Sequence, residues 1–241
     1  MQVTSSVICL ETATGPMQVQ LYQPLPAGHY SAVMLYSEIF QITAPIARMA
    51  RILAGHGLLV LVPEVFHELN PAGTVLAYDD AGKDKGNQDK WSKPLGHYDT
   101  DNDAMLRYLQ GRPDWSGKVG AMGVCIGGHL AFRAALNPLV SHSVCLYPTD
   151  LHSDTLPAAD AGQTLARCGE IKGQLVLIFG KQDPHIPVEG RQQILQRLQQ
   201  SGVDYQWHEV NAAHAFMRDE GERYDPALAL WVYQLAVQLL R

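Results

Sequence analysis

An alternation constrains this chain more than any other feature. Apolar runs stand at 31–36 (SAVMLY), 58–62 (LLVLV), 118–124 (KVGAMGV), 143–147 (SVCLY) and 174–180 (QLVLIFG), with a further strand-like run at 204–210 (DYQWHEV). Segments of helical period separate them. Runs that are apolar at successive positions are buried on both faces, as in a parallel sheet covered by helices. Two more strands, at 7–10 and 17–22, meet at the turn Thr12-Ala-Thr-Gly15. Helices are expected at 43–54, 99–110, 127–136 and 187–201. The last helix starts from Asp225 as N-cap with Pro226 in its first position. No linker composition breaks the rhythm, so residues 1–241 read as one α/β domain, a mostly parallel sheet with helices on both faces.

Charge and cysteine content narrow the function. A net charge of -6 excludes a protein that holds nucleic acid by clustered Lys and Arg. No apolar run approaches the length of a bilayer span, no basic amphipathic stretch suggests membrane docking, and the N-terminus has no secretory pattern. The cytoplasm is the expected compartment, with neither nucleic acid nor membrane as partner. Oligomeric state stays open between a monomer and a small homo-oligomer. The four cysteines, Cys9, Cys125, Cys145 and Cys168, form no CxxC pair. They are expected as free thiols, three of them small buried hydrophobes.

One stretch interrupts the alternation. Residues 63–97 form a long connection with no clear helix of its own. Connections of that length are usually functional or solvated insertions. This one follows a parallel strand and carries Phe66, Tyr78 and Trp91 among its charges. It is expected to be a lid or pocket wall, with Trp91 among the substrate contacts.

Gly123-Val-Cys-Ile-Gly127 lies between a strand and a helix. That is the context of a nucleophile elbow, a tight turn that presents its central residue at the sheet edge. Glycines on either side remove Cβ atoms that would clash. The N-terminus of the following helix points free N–H groups and its positive dipole end at the sulfur, which favours the thiolate. A small buried cysteine in a Gly-rich turn is the plainer alternative. Chain order speaks against it. Asp183 follows the strand QLVLIFG, and His214 follows the strand DYQWHEV, in the order nucleophile, acid, histidine. Asp183 could instead cap the turn before Pro184, and His185 is the other histidine candidate.

GVCIGG, the GKQDPHIP loop, the AAHAF loop and the early SEIF together resemble the dienelactone hydrolases (carboxymethylenebutenolidases), over roughly residues 10–240. The resemblance implies an α/β-hydrolase fold and a triad of Cys125, Asp183 and His214, with no metal and no cofactor. It implies that Glu38 holds the resting thiol until substrate displaces it. It implies an oxyanion hole from the backbone N–H groups of Ile39 and Ile126. Arg218 falls where the family grips a substrate carboxylate. The family's second such arginine would lie in YDDAGKDKGNQDK, which has none; Lys83 and Lys85 are the nearest cations. The expected substrate is a small ester or lactone, possibly carboxylate-bearing. Cleavage would pass through a thioester on Cys125. Two alternatives stand beside this: a hydrolase-fold protein that binds ligand without turnover, and a thiol redox protein.

Overall fold

A computed structural model describes residues 1–158 and 163–241. Among the described residues, eight strands form one sheet: β1 (Val3–Thr12), β2 (Gly15–Pro24), β3 (Tyr30–Tyr36), β4 (Leu58–Pro63), β5 (Trp115–Val124), β6 (Val140–Leu146), β7 (Gln174–Gly180) and β8 (Tyr205–Val210). Their order across the sheet is β1-β2-β4-β3-β5-β6-β7-β8. β1 and β2 form an antiparallel hairpin, and β2 pairs antiparallel with β4. Every pair from β4 through β3 to β8 is parallel. This is the mostly parallel α/β sheet that the alternation predicts. The hairpin strands are longer than the apolar signal, because their outer residues are polar and only pairing holds them extended.

Among the described residues, six α-helices connect and cover the strands: α1 (Ala44–Gly55), α2 (Asp80–Ser92), α3 (Leu95–Gln110), α4 (Ile126–Ala134), α5 (Val188–Ser201) and α6 (Pro226–Leu240). Asp225 caps α6 through its side chain, accepting from the N–H groups of Ala227 and Leu228. β3, β4 and β7 are almost wholly buried, as strands covered on both faces must be. Among the described residues, no helix is long and apolar enough to cross a membrane.

The 63–97 segment departs from expectation: it contains the helix α2. Asp79 caps it, accepting from the N–H of Gly82 at 2.8 Å. α2 has no apolar stripe, so hydrophobic period alone does not find it. Its buried side chains are Asp89 and Lys90, each held by an ion pair. Both ends of the segment are fastened to Asp101 on α3. Lys93 Nζ donates to one carboxylate oxygen at 2.6 Å, and His67 Nε2 lies 3.1 Å from the other.

Candidate active site

Five neighbouring parallel strands, β3, β5, β6, β7 and β8, end on the same edge of the sheet. Residues just past those ends meet there. Cys125 follows β5 directly, and its backbone is left-handed, at φ 61° and ψ -126°. That conformation is costly for a residue with a Cβ and marks a strained turn. The two flanking glycines permit it. A Cβ on Gly127 would stand 2.2 Å from the carbonyl oxygen of Tyr36, and one on Gly123 would stand 1.9 Å from that of Gly127. Cys125 is the N-cap of α4, so the helix begins at the sulfur-bearing residue.

His214 lies past β8 and Asp183 past β7. His214 Nδ1 stands 2.7 Å from Asp183 Oδ2, with both side chains buried. The other carboxylate oxygen of Asp183 accepts the backbone N–H of His185 at 2.8 Å. The ring that engages Asp183 is therefore that of His214. The His185 ring packs edge-on against it, with centroids 4.6 Å apart. His214 and Cys125 line the same pocket. Burial alone would push the His214 imidazolium down. The nearby Cys125 sulfur and the bond to Asp183 outweigh burial and raise it to about 10.

The backbone N–H groups of Ile39, past β3, and Ile126, the first residue of α4, belong to this edge too. Among the described residues, neither has a hydrogen-bond acceptor.

Glu38 is buried, but its partners are not the thiol. Arg218 Nη2 donates to Glu38 Oε1 at 2.6 Å, Arg218 Nε to Oε2 at 3.2 Å, and the Tyr78 hydroxyl to Oε2 at 3.2 Å. The guanidinium also lies over the Tyr78 ring, 4.0 Å from its centroid. Glu38 and Arg218, expected to serve thiol and substrate separately, hold each other.

A pocket of about 620 Å³ opens over Cys125 and His214. Three of the expected substrate contacts, Arg218, Lys83 and Trp91, line it, as does Ile39; Phe40, Lys90, Thr149, Asp150, His185 and Arg223 join them. Lys85 does not line it: its ammonium pairs with the buried carboxylate of Asp89. The helix explains the split. Lys83, Asn87, Lys90 and Trp91 fall at i, i+4, i+7 and i+8 on one face of α2, and Lys85 falls on another. That stripe, including Lys90 and Asn87, becomes visible only once the segment is known to be helical.

A parallel sheet whose strand ends bear Cys, Asp and His in that chain order is the α/β-hydrolase arrangement. Comparison with known proteins agrees. The family model for the dienelactone hydrolase family matches residues 17–241. A Saccharomyces cerevisiae protein, provisionally assigned as a carboxymethylenebutenolidase, is 38% identical over 241 residues, covering 95% of this chain and 88% of its own. The carboxymethylenebutenolidase of Pseudomonas putida is 26% identical, covering 80% of this chain and 77% of its own. A crystal structure from Klebsiella pneumoniae subsp. pneumoniae MGH 78578, provisionally assigned as a dienelactone hydrolase, superposes with a TM-score of 0.84 at 18% identity. It covers 100% of this chain and 99% of its own. The chain belongs to the dienelactone hydrolase family and is a hydrolase.

Proposed function

We propose that this hydrolase cleaves an activated ester or enol-lactone through a Cys125-His214-Asp183 triad and a thioester intermediate. One observation carries the reading: a strained cysteine at a helix N-terminus opens into the pocket that His214 also lines, and His214 is bonded to a buried carboxylate. Asp183 accepts from Nδ1–H and so leaves Nε2 to serve the sulfur.

The thiolate attacks the substrate carbonyl carbon. The carbonyl oxygen takes up the electron pair and is held by the N–H groups of Ile39 and Ile126. Collapse of the tetrahedral intermediate expels an enolate or other stable alkoxide, which takes the proton of the His214 imidazolium, and leaves a thioester beside a neutral His214. Acylation removes the charge on sulfur that raises His214 most. His214 then falls toward the range in which it accepts a proton from water. That water attacks the thioester and releases the carboxylic acid, with the thiolate restored. Amides should be poor substrates, because their intermediate expels thiolate more readily than amine.

The pocket favours an anionic substrate. Its charged lining is Lys83, Lys90, Arg218 and Arg223 against the single carboxylate of Asp150, on a chain of net charge -6. Arg218 binds substrate with the part of its guanidinium that Glu38 leaves free, and Trp91 walls the pocket mouth. A reducing, cytoplasmic compartment is part of this reading; Cys145 and Cys168 are buried, whereas Cys9 is exposed and not the buried hydrophobe expected of it.

A panel of lactones and activated esters, acidic and neutral, assayed on wild type and Cys125→Ala, tests the reading. Turnover of enol-lactones and activated esters that vanishes in the variant supports it. Binding without turnover, or turnover that survives in the variant, overturns it.

A further inference from the structure

We propose that Thr149 is a catalytic residue: its hydroxyl donates a hydrogen bond to the Cys125 thiolate and holds the sulfur charged between turnovers. The proposal rests on the reading of Cys125 as nucleophile. Thr149 lies past the end of β6, the strand beside β5. Its Oγ1 stands 3.8 Å from Cys125 Sγ, within the longer reach of a hydrogen bond to sulfur, and makes no other hydrogen bond among the described residues. The side chain lines the same pocket as Cys125 and His214. A thiolate is only an acceptor here, so the hydroxyl proton points to sulfur. Thr149 thus gives the sulfur a donor from the loop after β6, while His214 reaches the same pocket from the loop after β8.

The backbone around Thr149 is built to place it. Tyr147 and Asp150, two residues before and one after, both have positive φ, at 37° and 62°. Such conformations persist only where surrounding contacts enforce them. Those contacts converge on Thr149. Its N–H donates to the carbonyl of Cys125 at 3.3 Å. Its carbonyl lies 3.1 Å from His129 Nδ1 on α4.

A polarised chain fixes the direction of that last bond. Asp99 holds Arg133 through two bonds of 2.7 Å, and Arg133 Nη1 donates to Thr164 Oγ1 at 3.1 Å. The Thr164 hydroxyl is then free to donate to His129 Nε2, 2.8 Å away. That leaves Nδ1 of neutral His129 as the donor to Thr149. Burial holds His129 neutral by pushing it down to about 4. The buried cluster behind α4 therefore anchors Thr149 to the nucleophile from both sides of its peptide.

Alkylation of Cys125 by iodoacetamide across pH reads the thiolate directly and needs no ester turnover. Wild type, Thr149→Val, Thr149→Ala and Thr149→Ser are compared, with Cys125→Ala to identify the reacting thiol and circular dichroism to report folding. Val keeps the shape of Thr without the hydroxyl; Ala guards against a misfolded Val variant. The expected result is a midpoint about one pH unit higher in Val and Ala, the displacement of a modest charge-assisted bond. Ser should bring the midpoint back toward wild type. Midpoints in folded Val and Ala variants that match wild type overturn the proposal, as does a Ser variant displaced as far as Val. A failure of the underlying reading looks different: Cys125→Ala would still hydrolyse esters, whatever the alkylation profiles show.

Discussion

Arg218 and Glu38 form a bidentate ion pair at the mouth of the pocket, with Nη2 and Nε facing the two carboxylate oxygens at 2.6 and 3.2 Å. The Glu38 side chain is 3% exposed and that of Arg218 14%. Each is the other's main compensation for burial. Removing one partner of such a pair strands a buried charge. Arg218→Ala is expected to cost about 3 kcal/mol of stability in urea unfolding. Glu38→Ala should cost a similar amount, and the double variant much less than the sum. Two small and additive losses would show that the pair does not behave as a buried unit.

The same pair complicates a substrate test at Arg218, so acidic and neutral esters of equal reactivity must be compared at a temperature where Arg218→Ala is folded. The expected loss in kcat/KM is about tenfold or more for the acidic ester, the size of a charge-assisted hydrogen bond. The neutral ester should change little. Equal losses on both would assign Arg218 wholly to holding Glu38.

Asp183 and His214 share one hydrogen bond, so in the proposed triad their variants should not add. His214→Ala is expected to lower kcat on the order of a thousandfold, and His214→Ala with Asp183→Asn to be scarcely worse. His185→Ala should keep most activity, since its ring does not reach Asp183. An inactive His185→Ala beside an active His214→Ala would reverse the assignment.

His129 makes stability depend on pH. Its folded value is pushed by burial from 6.5 to about 4. Between those values the unfolded chain binds a proton that the folded chain does not, so stability falls as pH falls. The full loss, complete below about pH 4, is on the order of 3 kcal/mol for this group. Histidines 142, 152, 185 and 208 are also lowered by burial and act in the same direction. Comparison with His129→Asn isolates one contribution. The variant should be less stable at neutral pH, yet lose less between pH 6.5 and 4. An identical slope in both proteins would contradict the buried, neutral state of His129.

The sequence carried the sheet and the elbow because both are written in local pattern. Val119–Val124 is an unbroken buried strand, and Cys125 sits between glycines whose Cβ atoms would collide with backbone. Chain order alone does not separate the two histidines, since both follow Asp183; strand, loop and order together favour His214. The helix α2 was not legible, because charged residues and two glycines hide it. Gly86 reads as a helix breaker, but a Cβ there would stand 2.6 Å from the carbonyl oxygen of Ile39. It is small so that the helix can lie against the loop bearing Ile39. Nor could sequence reveal that Glu38 faces Arg218, 180 positions away, or that Lys85 turns aside to Asp89. Those are long side chains choosing between partners, and the choice depends on where α2 lies. Thr149 carries no motif; only the folded strand ends bring it to the sulfur.

The central claim is that Cys125 forms a thioester. Mass spectrometry of the protein quenched during turnover of a slow activated ester tests it most directly. An acyl adduct on the peptide bearing Cys125 is predicted, labile to hydroxylamine, absent from Cys125→Ala and accumulating in His214→Ala. Cys125→Ala should lose hydrolysis while staying folded, and Cys125→Ser should recover little of it, because its oxygen is far less acidic. Turnover near wild type in Cys125→Ala, with no adduct on Cys125 in the native enzyme, would contradict the account.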